Sequence, residues 1–445
     1  MARPKKNAAQ AQDALPTLDT VPGIPVEEQP YPLPEGWKWV RLRQVYQINP
    51  KVIADDEKLA SFIPMERIAP NMKGSFSFEI LPWGKIKKGH TQFADGDVAF
   101  AKISPCFENG KSMLIKGLKN GIGAGTTELI ILRQKYILQK YTFYLISNQD
   151  FIQKGICTYN GTVGQQRINM DFVRRYPIPL PPLEVQQRIV ERIESLFAKL
   201  DEAREKAESA LESFERRKAA ILHKAFTGEL TATWRGEHGI SLEDWKNLTL
   251  NDVADYKKGP FGSSITKAMF VPKGDETYKV YEQGNAIKKT IYYGHYYITR
   301  NKYNELSAFS VKGGDIIISC AGTIGEIYKL PESCENGVIN QALMRVRTYK
   351  NIDENFFEYY FTGVLKNNVI DQANGTAIRN IPPFKILKAM PIILPSLPEQ
   401  QEIVRILDRI FAKEQQAREA AENVLQRIDQ MKKAILARAF RGELD

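Results

Sequence analysis

The sequence is poor in the residues and runs that mark disulfide scaffolds, zinc sites and membrane spans. It has four cysteines and four histidines in 445 residues. Neither set forms a C-x-x-C or H-E-x-x-H motif, so the sequence offers no disulfide framework and no zinc site. No run of about 18 apolar residues occurs, and no apolar stretch follows the basic residues near Met1. We therefore expect a cytoplasmic protein with reduced thiols and no membrane contact.

Motifs for catalysis are also missing. Residues 106–112 end like a phosphate-binding loop, but Pro105 stands where the first glycine belongs. Residues 121–125 resemble a nucleotide fingerprint, yet they lead into a strand-like run and not into a helix. Residues 381–384 resemble the motif with which amino-methyltransferases hold their target amine, but Ile381 cannot accept the hydrogen bond of an amine. These failures argue against catalysis by this chain.

The chain contains an internal repeat. Residues 178–230 and 392–444 align without a gap at a separation of 214 positions and are identical at 26 of 53 positions. Trp37 aligns with Trp245 at a separation of 208, and Gly96 aligns with Gly314 at 218. The sequence is therefore a duplicated unit whose ends match well and whose middle has diverged in residues and length.

Each matched block has the period of a long helix. Apolar residues recur every three or four positions, with prolines before the first turn and Gly228 and Gly442 at the expected ends. One such helix cannot bury its apolar stripe alone, so we expect the two copies to pack together, parallel or antiparallel. A shared partner is the simplest reason for the long match, and mutual packing is the alternative. The candidate docking positions are Ile189, Ile193, Leu211, Phe214, Ile403, Leu407, Leu425 and Ile428.

The remaining stretches have short β-rich runs, short helices and many Gly, Asn and Pro residues, which predicts mixed α/β domains. The expected order is a disordered arm (1–34), a first α/β domain (35–177), a first helical region (178–230), a linker (231–240), a second α/β domain (241–391) and a second helical region (392–445). The fold class is thus α+β, with two globular domains, two long helices and a pseudo-two-fold repeat.

The positive charge lies in the α/β domains. Residues 35–177 carry 21 Lys and Arg against 12 Asp and Glu, whereas residues 183–226 carry nine of each sign. Basic domains rich in polar loop residues suit nucleic acid, and a solvated basic surface is the alternative. The candidate DNA contacts, chosen from the loops of the two domains, are Lys85, Lys87, Lys88, Lys102, Asn109, Lys111, Arg167, Lys257, Lys258, Lys288, Lys289, Arg300, Lys302 and Arg379.

Several segments together resemble a known family. They are IPLPPLEVQQRIVERIESLFAKLD, ILPSLPEQQEIVRILDRIF, AAILHKAFTGEL and KAILARAFRGEL in the helical blocks, the openings LPEGWKWVRLRQV and EDWKNLTLNDV, and the strand–loop phrases ADGDVAFAKISPCFENGKS and KGGDIIISCAGTIGEIY. They resemble the specificity (S) subunits of Type I restriction–modification enzymes, over nearly everything after Leu33.

The resemblance implies a DNA-reading subunit without catalysis of its own. Each α/β domain would be a target recognition domain that reads half of a split, asymmetric site in double-stranded DNA. The helices would pack as an antiparallel coiled coil that sets the gap between the halves. Two methyltransferase (M) subunits and restriction (R) subunits would be the partners. This chain would hold no cofactor, while S-adenosylmethionine, ATP and Mg²⁺ would bind to those partners.

Two other classes of protein remain to be weighed. A single-chain DNA methyltransferase or nuclease would need a cofactor fold and a catalytic motif, which the sequence lacks. A coiled-coil scaffold that binds only proteins would not explain the basic first domain. Salt-dependent binding to duplex DNA separates the scaffold from the DNA-reading subunit.

Overall fold

The computed structural model describes residues 21–162, 165–371 and 380–444. The chain divides into two compact units. Unit 1 consists of the residues up to Glu208 together with Asn423 and those after it, and unit 2 consists of Ser209–Glu422. Each unit therefore combines one α/β domain with a portion of both long helices.

The α/β domain of unit 1 contains three small sheets. Its strands are β1 (Lys38–Arg41), β2 (Tyr46–Ile48), β3 (Leu59–Ile63), β4 (Glu79–Pro82), β5 (Thr91–Ala94), β6 (Val98–Ala101), β7 (Ser112–Leu114), β8 (Ile122–Gly125), β9 (Leu129–Gln134) and β10 (Pro177–Leu180). Strand β1 pairs with β10, an antiparallel sheet has the order β2-β9-β6-β7, and a mixed sheet has the order β4-β3-β8-β5. Within the mixed sheet, β3 and β8 are parallel.

Five short helices accompany these strands in the described part of unit 1. They are α1 (Leu42–Val45), α2 (Trp83–Ile86), α3 (Gln139–Ile146), α4 (Gln149–Ile156) and α5 (Met170–Arg175). The central strand β6 is buried on both faces, so its sequence is a continuous apolar run. Val98 and Phe100 join the core that includes the helices, while Ala99 joins a separate core on the other face.

The α/β domain of unit 2 repeats this topology. Its strands are β11 (Lys246–Thr249), β12 (Ala254–Lys258), β13 (Thr277–Tyr281), β14 (Tyr297–Thr299), β15 (Ser310–Val311), β16 (Ile316–Ser319), β17 (Ile327–Lys329), β18 (Gly337–Ile339), β19 (Leu343–Thr348) and β20 (Pro391–Leu394). The sheets are β11-β20, β12-β19-β16-β17 and β14-β13-β18-β15, with β13 and β18 parallel. The predicted duplication is therefore confirmed in the diverged middles as well as in the helices.

The remaining helices include the two long ones. In chain order they are α6 (Leu183–Phe226), α7 (Ala232–His238), α8 (Leu250–Val253), α9 (Gln283–Ile287), α10 (Arg300–Glu305), α11 (Glu354–Tyr360), α12 (Lys366–Asp371), α13 (Phe384–Lys388) and α14 (Leu397–Arg441), with a π-helical turn (Phe361–Leu365) joining α11 to α12. The long helices α6 and α14 end where predicted, because Gly228 and Gly442 adopt positive φ angles of 80° and 75°.

One glutamine fastens the start of each long helix to its own domain. Gln186 is fully buried, accepts a hydrogen bond from the backbone of Leu138 and donates to the carbonyl of Pro181. Gln400 is equally buried, accepts from the backbone of Asp353 and donates to the carbonyl of Pro395. Burying an amide is tolerated only when its hydrogen bonds are made, which accounts for the same glutamine in both repeats.

The long helices run antiparallel within each unit. In unit 1, Arg204 pairs with Asp429, and Lys432 pairs with Asp201 at 2.5 Å, so residue numbers fall along one helix as they rise along the other. In unit 2, Arg217 donates to Glu414, the position where a glutamate interrupts the apolar stripe, and the shortest contact is 2.8 Å. The antiparallel coiled coil that the family resemblance implied is confirmed.

Two segments differ from the expected domain organisation. Residues 1–20 lie outside the described residues, but residues 21–34 pack on unit 1 and do not form a disordered arm. Val21 and Ile24 are buried, and the Tyr31 hydroxyl donates to the carbonyl of Phe440 at 3.0 Å. The segment is ordered because it carries apolar side chains that the first domain can bury.

The expected linker, 231–240, instead contains the helix α7. Its Arg235 is buried and donates to Glu399 at 2.6 Å, and Glu399 also accepts from the hydroxyl of Thr231 and the indole of Trp245. One buried carboxylate thus ties α7, the start of the second domain and the start of α14 together.

Among the helices of the described residues, including the long helices α6 and α14, none has the apolar length that a membrane span requires.

This buried network yields a stability prediction. Glu399→Gln keeps the size of the side chain but removes the charge that compensates Arg235, so the free energy of unfolding should fall by about 3–5 kcal/mol. The matched control is Glu419→Gln on the exposed face of α14, which should change stability by no more than about 0.5 kcal/mol. Urea unfolding followed by circular dichroism measures both. Equal stabilities for the two variants would contradict the assigned role.

Candidate nucleic-acid interface

Three loops meet at one edge of the first domain. The loop between β6 and β7 starts at Lys102, whose backbone N–H donates to the carbonyl of Glu128, just before β9, at 2.8 Å. The carbonyl of Lys102 accepts from the backbone of Ile168 at 3.0 Å. These two main-chain bonds hold the side chains of Lys102, Glu128 and Arg167 close together.

Those three side chains form an ionic cluster. The Arg167 guanidinium donates to both carboxylate oxygens of Glu128, at 2.9 and 2.7 Å, and the Lys102 Nζ lies 4.0 Å from the same carboxylate. The hydrogen bond from Arg167 is the main cause that lowers the pKa of Glu128 below its ordinary value. Two cationic side chains, Lys102 and Arg167, thus share the carboxylate of Glu128 at the start of the loop between β6 and β7.

The second domain repeats the backbone arrangement. The N–H of Cys320 donates to the carbonyl of Ala342 at 2.8 Å, and the carbonyl of Cys320 accepts from the backbone of Ile381 at 2.9 Å. Ala321 forms a β-bridge with Asn380, as Ile103 does with Arg167 in the first domain. The positions of Lys102, Glu128 and Arg167 therefore correspond to Cys320, Ala342 and Asn380.

The side chains at these corresponding positions have different chemistry. The thiol of Cys320 is buried, which raises its pKa to about 12, although the charge of Lys258 opposes the shift. The loop between β16 and β17 spans residues 320–326, whereas its counterpart between β6 and β7 spans 102–111. The same backbone frame thus carries an ionic cluster in one domain and neutral side chains, one of them buried, in the other.

Exposed aromatic rings lie in loops of the second domain. Phe261 and Tyr292 are 86% and 84% exposed. Phe261 lies two residues after Gly259, where a Cβ atom would overlap the carbonyl oxygen of Asn340, so only glycine allows the two loops to approach this closely. Exposed aromatic side chains beside cations can stack on or insert between bases. Sequence reasoning missed Phe261, and the signal that could have found it was the Gly-Pro-Phe-Gly turn directly after Lys257 and Lys258.

The structure separates the predicted DNA contacts by what they already bind. Ion pairs within the same unit occupy six of them: Lys87 with Asp56, Lys102 and Arg167 with Glu128, Lys289 with Glu358, Arg300 with Glu276, and Lys302 with Glu305. Lys111 donates to the carbonyl of Met65 at 2.8 Å, and Lys257 and Lys288 lie over the rings of Phe309 and Tyr293.

The side chains of four other candidates are exposed to solvent. They are Lys85, Lys88, Lys258 and Asn109. Within the described ranges none of these three lysines pairs with a carboxylate, so they are the candidates most available to phosphates. Arg379 lies outside the described residues. The assignment of all fourteen positions to DNA stays a prediction.

The apolar positions proposed for partner docking lie largely inside the protein. Ile189 and Ile193 belong to the core of unit 1, and Ile403 and Leu407 belong to the core of unit 2. Phe214 and Ile428 are buried as well, while Leu211 and Leu425 are half-buried. Six of the eight side chains are used for packing within this chain, so a partner of the helices has to contact their exposed polar faces instead.

Known proteins share both the sequence and the fold. The family model of the Type I restriction modification DNA specificity domain matches residues 34–212 and 242–426. The EcoAI specificity subunit of a Type I restriction enzyme from Escherichia coli is 42% identical over 232 residues, which cover 52% of this chain and 38% of that relative. The chain therefore spans well under half the length of that relative.

Two solved structures resemble the fold. One is a chain from the structural work on complex assembly and conformational transition of the type I R-M system. It aligns with a TM-score of 0.73 and 22% identity, over 93% of this chain and all of that chain. The HsdS subunit from Thermoanaerobacter tengcongensis aligns with a TM-score of 0.65 and 22% identity, over 94% of this chain and 99% of that one.

The ionic cluster of the first domain yields a prediction on salt dependence. Glu128→Gln removes the carboxylate that holds Arg167 and Lys102 and leaves both cations free for phosphates. Affinity for duplex DNA should rise at low salt, and the slope of log affinity against log salt should steepen by about one to two. The control is Glu28→Gln, which frees Arg41 on β1, outside the cluster. Fluorescence anisotropy across a salt series tests both, and identical slopes for Glu128→Gln and the unaltered protein would contradict the assignment.

Proposed function

This chain belongs to the family of Type I restriction modification DNA specificity domains, and from that premise we propose that it is the sequence-reading subunit of such a restriction–modification complex. Each α/β domain reads one half of a split target in double-stranded DNA. The two halves are different sequences. The chain itself carries out no methyl transfer and no cleavage.

One observation carries this proposal. The two domains keep the same main-chain hydrogen bonds at the loop edge but place Lys, Glu and Arg there in one case and Cys, Ala and Asn in the other. Base edges in the major groove are distinguished by the pattern of donors and acceptors that a protein presents to them. A constant frame with changed side chains is what two readers of different half-sites require.

The partners follow from the same proposal. Two methyltransferase subunits and restriction subunits assemble with this chain, and the polar outer faces of α6 and α14 are the surfaces left for them. S-adenosylmethionine, ATP and Mg²⁺ act on those partner subunits, and this chain holds none of them. The complex works on DNA in the cytoplasm.

A protein-binding scaffold is the main alternative. It would use the coiled coil in the same way but would have no need for two loop edges with different side chains or for exposed Phe261. Nor would it need lysines such as Lys85 and Lys88, which pair with no carboxylate among the described residues. Weak, sequence-independent and salt-insensitive binding to duplex DNA would favour the scaffold.

The first expected outcome concerns the target. A host that carries this chain with its methyltransferase subunit should methylate a bipartite, non-palindromic site. The centres of its halves should lie about one helical turn apart, roughly 10 base pairs, because paired reading modules typically bind half-sites at that spacing. Methylome sequencing measures this directly. A continuous palindrome would refute the proposed reading.

The second expected outcome concerns the loop edge of the first domain. Replacing Lys102, Glu128 and Arg167 together by Cys, Ala and Asn gives the first domain the side chains of the second at these positions. The main-chain bonds persist, so the domain should fold, while one half of the methylated sequence changes or becomes degenerate and the other half stays the same.

The matched control for this graft is Arg174→Asn, which removes an exposed arginine whose ion-pair partner is Asp171 on the same helix. The control should leave the whole methylated sequence unchanged. An unchanged sequence for the triple variant, or changes in both halves, would contradict the assignment of this edge to base recognition.

A further inference from the structure

Unit 1 contains an open groove near the start of α6 and the end of α14. Its volume is about 380 Å³. Its apolar lining includes the buried or half-buried side chains of Trp37, Val185, Ile189 and Leu444, which we call the floor. The exposed side chains of Arg188 and Arg192 also line the groove, and we call them the rim arginines. Both arginines are exposed, and in the described part of the chain neither pairs with a carboxylate.

The corresponding place in unit 2 is filled by the chain's own helix α7. The correspondence is fixed by strand pairing, because Lys38 pairs with Leu180 as Lys246 pairs with Leu394. Trp37 thus corresponds to Trp245. The helix repeat likewise relates Gly442 to Gly228.

Arg235 of α7 makes the contacts that fill this place. Its guanidinium donates to the carbonyl of Gly228 and to Glu399, and it lies 5.5 Å from the ring of Trp245. Trp245 is consequently only 8% exposed, while Trp37 in the open groove is half-buried. The groove therefore lies where unit 2 receives a short helix, and the described part of unit 1 supplies no such helix there.

The charge of the open groove is opposite to that of the filled one. At the repeat separation of 214 positions, Val185 corresponds to Glu399 of unit 2. In the same way, Arg188 corresponds to Glu402 and Arg192 corresponds to Ile406. A helix with a basic anchor such as Arg235 would meet two arginines in unit 1 and no buried carboxylate. A helix with acidic residues would pair with both rim arginines.

We propose that this groove is a docking site for a short amphipathic helix of another polypeptide, with apolar residues against Trp37 and Val185 and carboxylates against Arg188 and Arg192. The site takes the place in unit 1 that α7 takes in unit 2. It is separate from the loop edges assigned to DNA, so the proposal does not depend on how the chain reads its target.

The probe is a labelled peptide with the sequence of residues 231–240 in which Arg235 is replaced by Glu, compared with the unchanged peptide. The full-length chain should bind the glutamate peptide in fluorescence anisotropy, with an affinity that falls as salt rises. The charge-reversed variant Arg188→Glu with Arg192→Glu should weaken that peptide and favour the unchanged one, a reversal of preference of about tenfold. Both residues are exposed, so the fold should be retained.

A second variant tests the correspondence with unit 2. Val185→Glu restores the carboxylate found at Glu399, so the unchanged peptide with its arginine should gain affinity about tenfold. Arg216→Glu with Lys218→Glu, two exposed positions of α6 away from the groove, is the control and should bind both peptides like the unaltered protein.

Three results would overturn the proposal. The first is that the two peptides bind with equal affinity and that the variant Arg188→Glu with Arg192→Glu leaves both affinities unchanged. Another is displacement of the glutamate peptide by duplex DNA, which would assign Arg188 and Arg192 to phosphates. The third is self-association of the unaltered chain in sedimentation that the arginine variant abolishes, which would make a second copy the occupant. A failure of DNA recognition would leave the peptide results unaffected.

Discussion

Each α/β domain depends on the tail of a long helix to complete its core. In unit 1, Leu436, Ala439 and Phe440 from the end of α14 are buried beside the start of α6. In unit 2, Leu222, Ala225 and Phe226 from the end of α6 are buried beside the start of α14. Burying a large apolar side chain contributes about 1.5–3 kcal/mol. Neither helix could be lost without opening a domain, and antiparallel pairing is what brings a start and an end together in each unit.

This dependence explains why the helices are alike in the two repeats while the domain middles are not. Many residues of α6 and α14 contact the other helix or a domain core, or make a hydrogen bond such as those of Gln186 and Gln400, so few substitutions are compatible with the fold at these positions. At the loop edges the frame is held by main-chain hydrogen bonds. Main-chain hydrogen bonds do not depend on the identity of the side chain. The position of Lys102 can therefore hold a cysteine, Cys320, in the second domain without loss of the fold.

The sequence predicted the features that follow from periodicity and repetition. The three-and-four spacing predicted both long helices, the glycines predicted their ends, and the repeat predicted two equivalent domains. The burial of Ile189, Ile193, Ile403 and Leu407 against the domains could not be predicted, because an apolar stripe looks the same whether it packs on a helix or on a sheet.

The ion pairs that lysines and arginines form with distant carboxylates could not be predicted from the sequence either. Lys87 and Asp56 are 31 residues apart, as are many unrelated pairs of charges, and only the fold brings them together. The same holds for Arg235 and Glu399, which are 164 residues apart, and it is why a segment interpreted as a linker is a packed helix. Long-range contacts between polar residues have no period, so composition and spacing carry no signal for them.

The two units therefore differ in ways that a duplicated chain can acquire at little cost. A change at a loop edge alters what one domain presents and leaves its core intact. A change at the junction, such as Val185 in place of Glu399, removes a buried carboxylate that would be costly without Arg235 to pair with it. The absence of a carboxylate at position 185 and the lack of an α7-like helix in the described part of unit 1 are consistent with each other. The differences at the junction and the differences at the loop edges rest on separate contacts, and each set of contacts is confined to one unit.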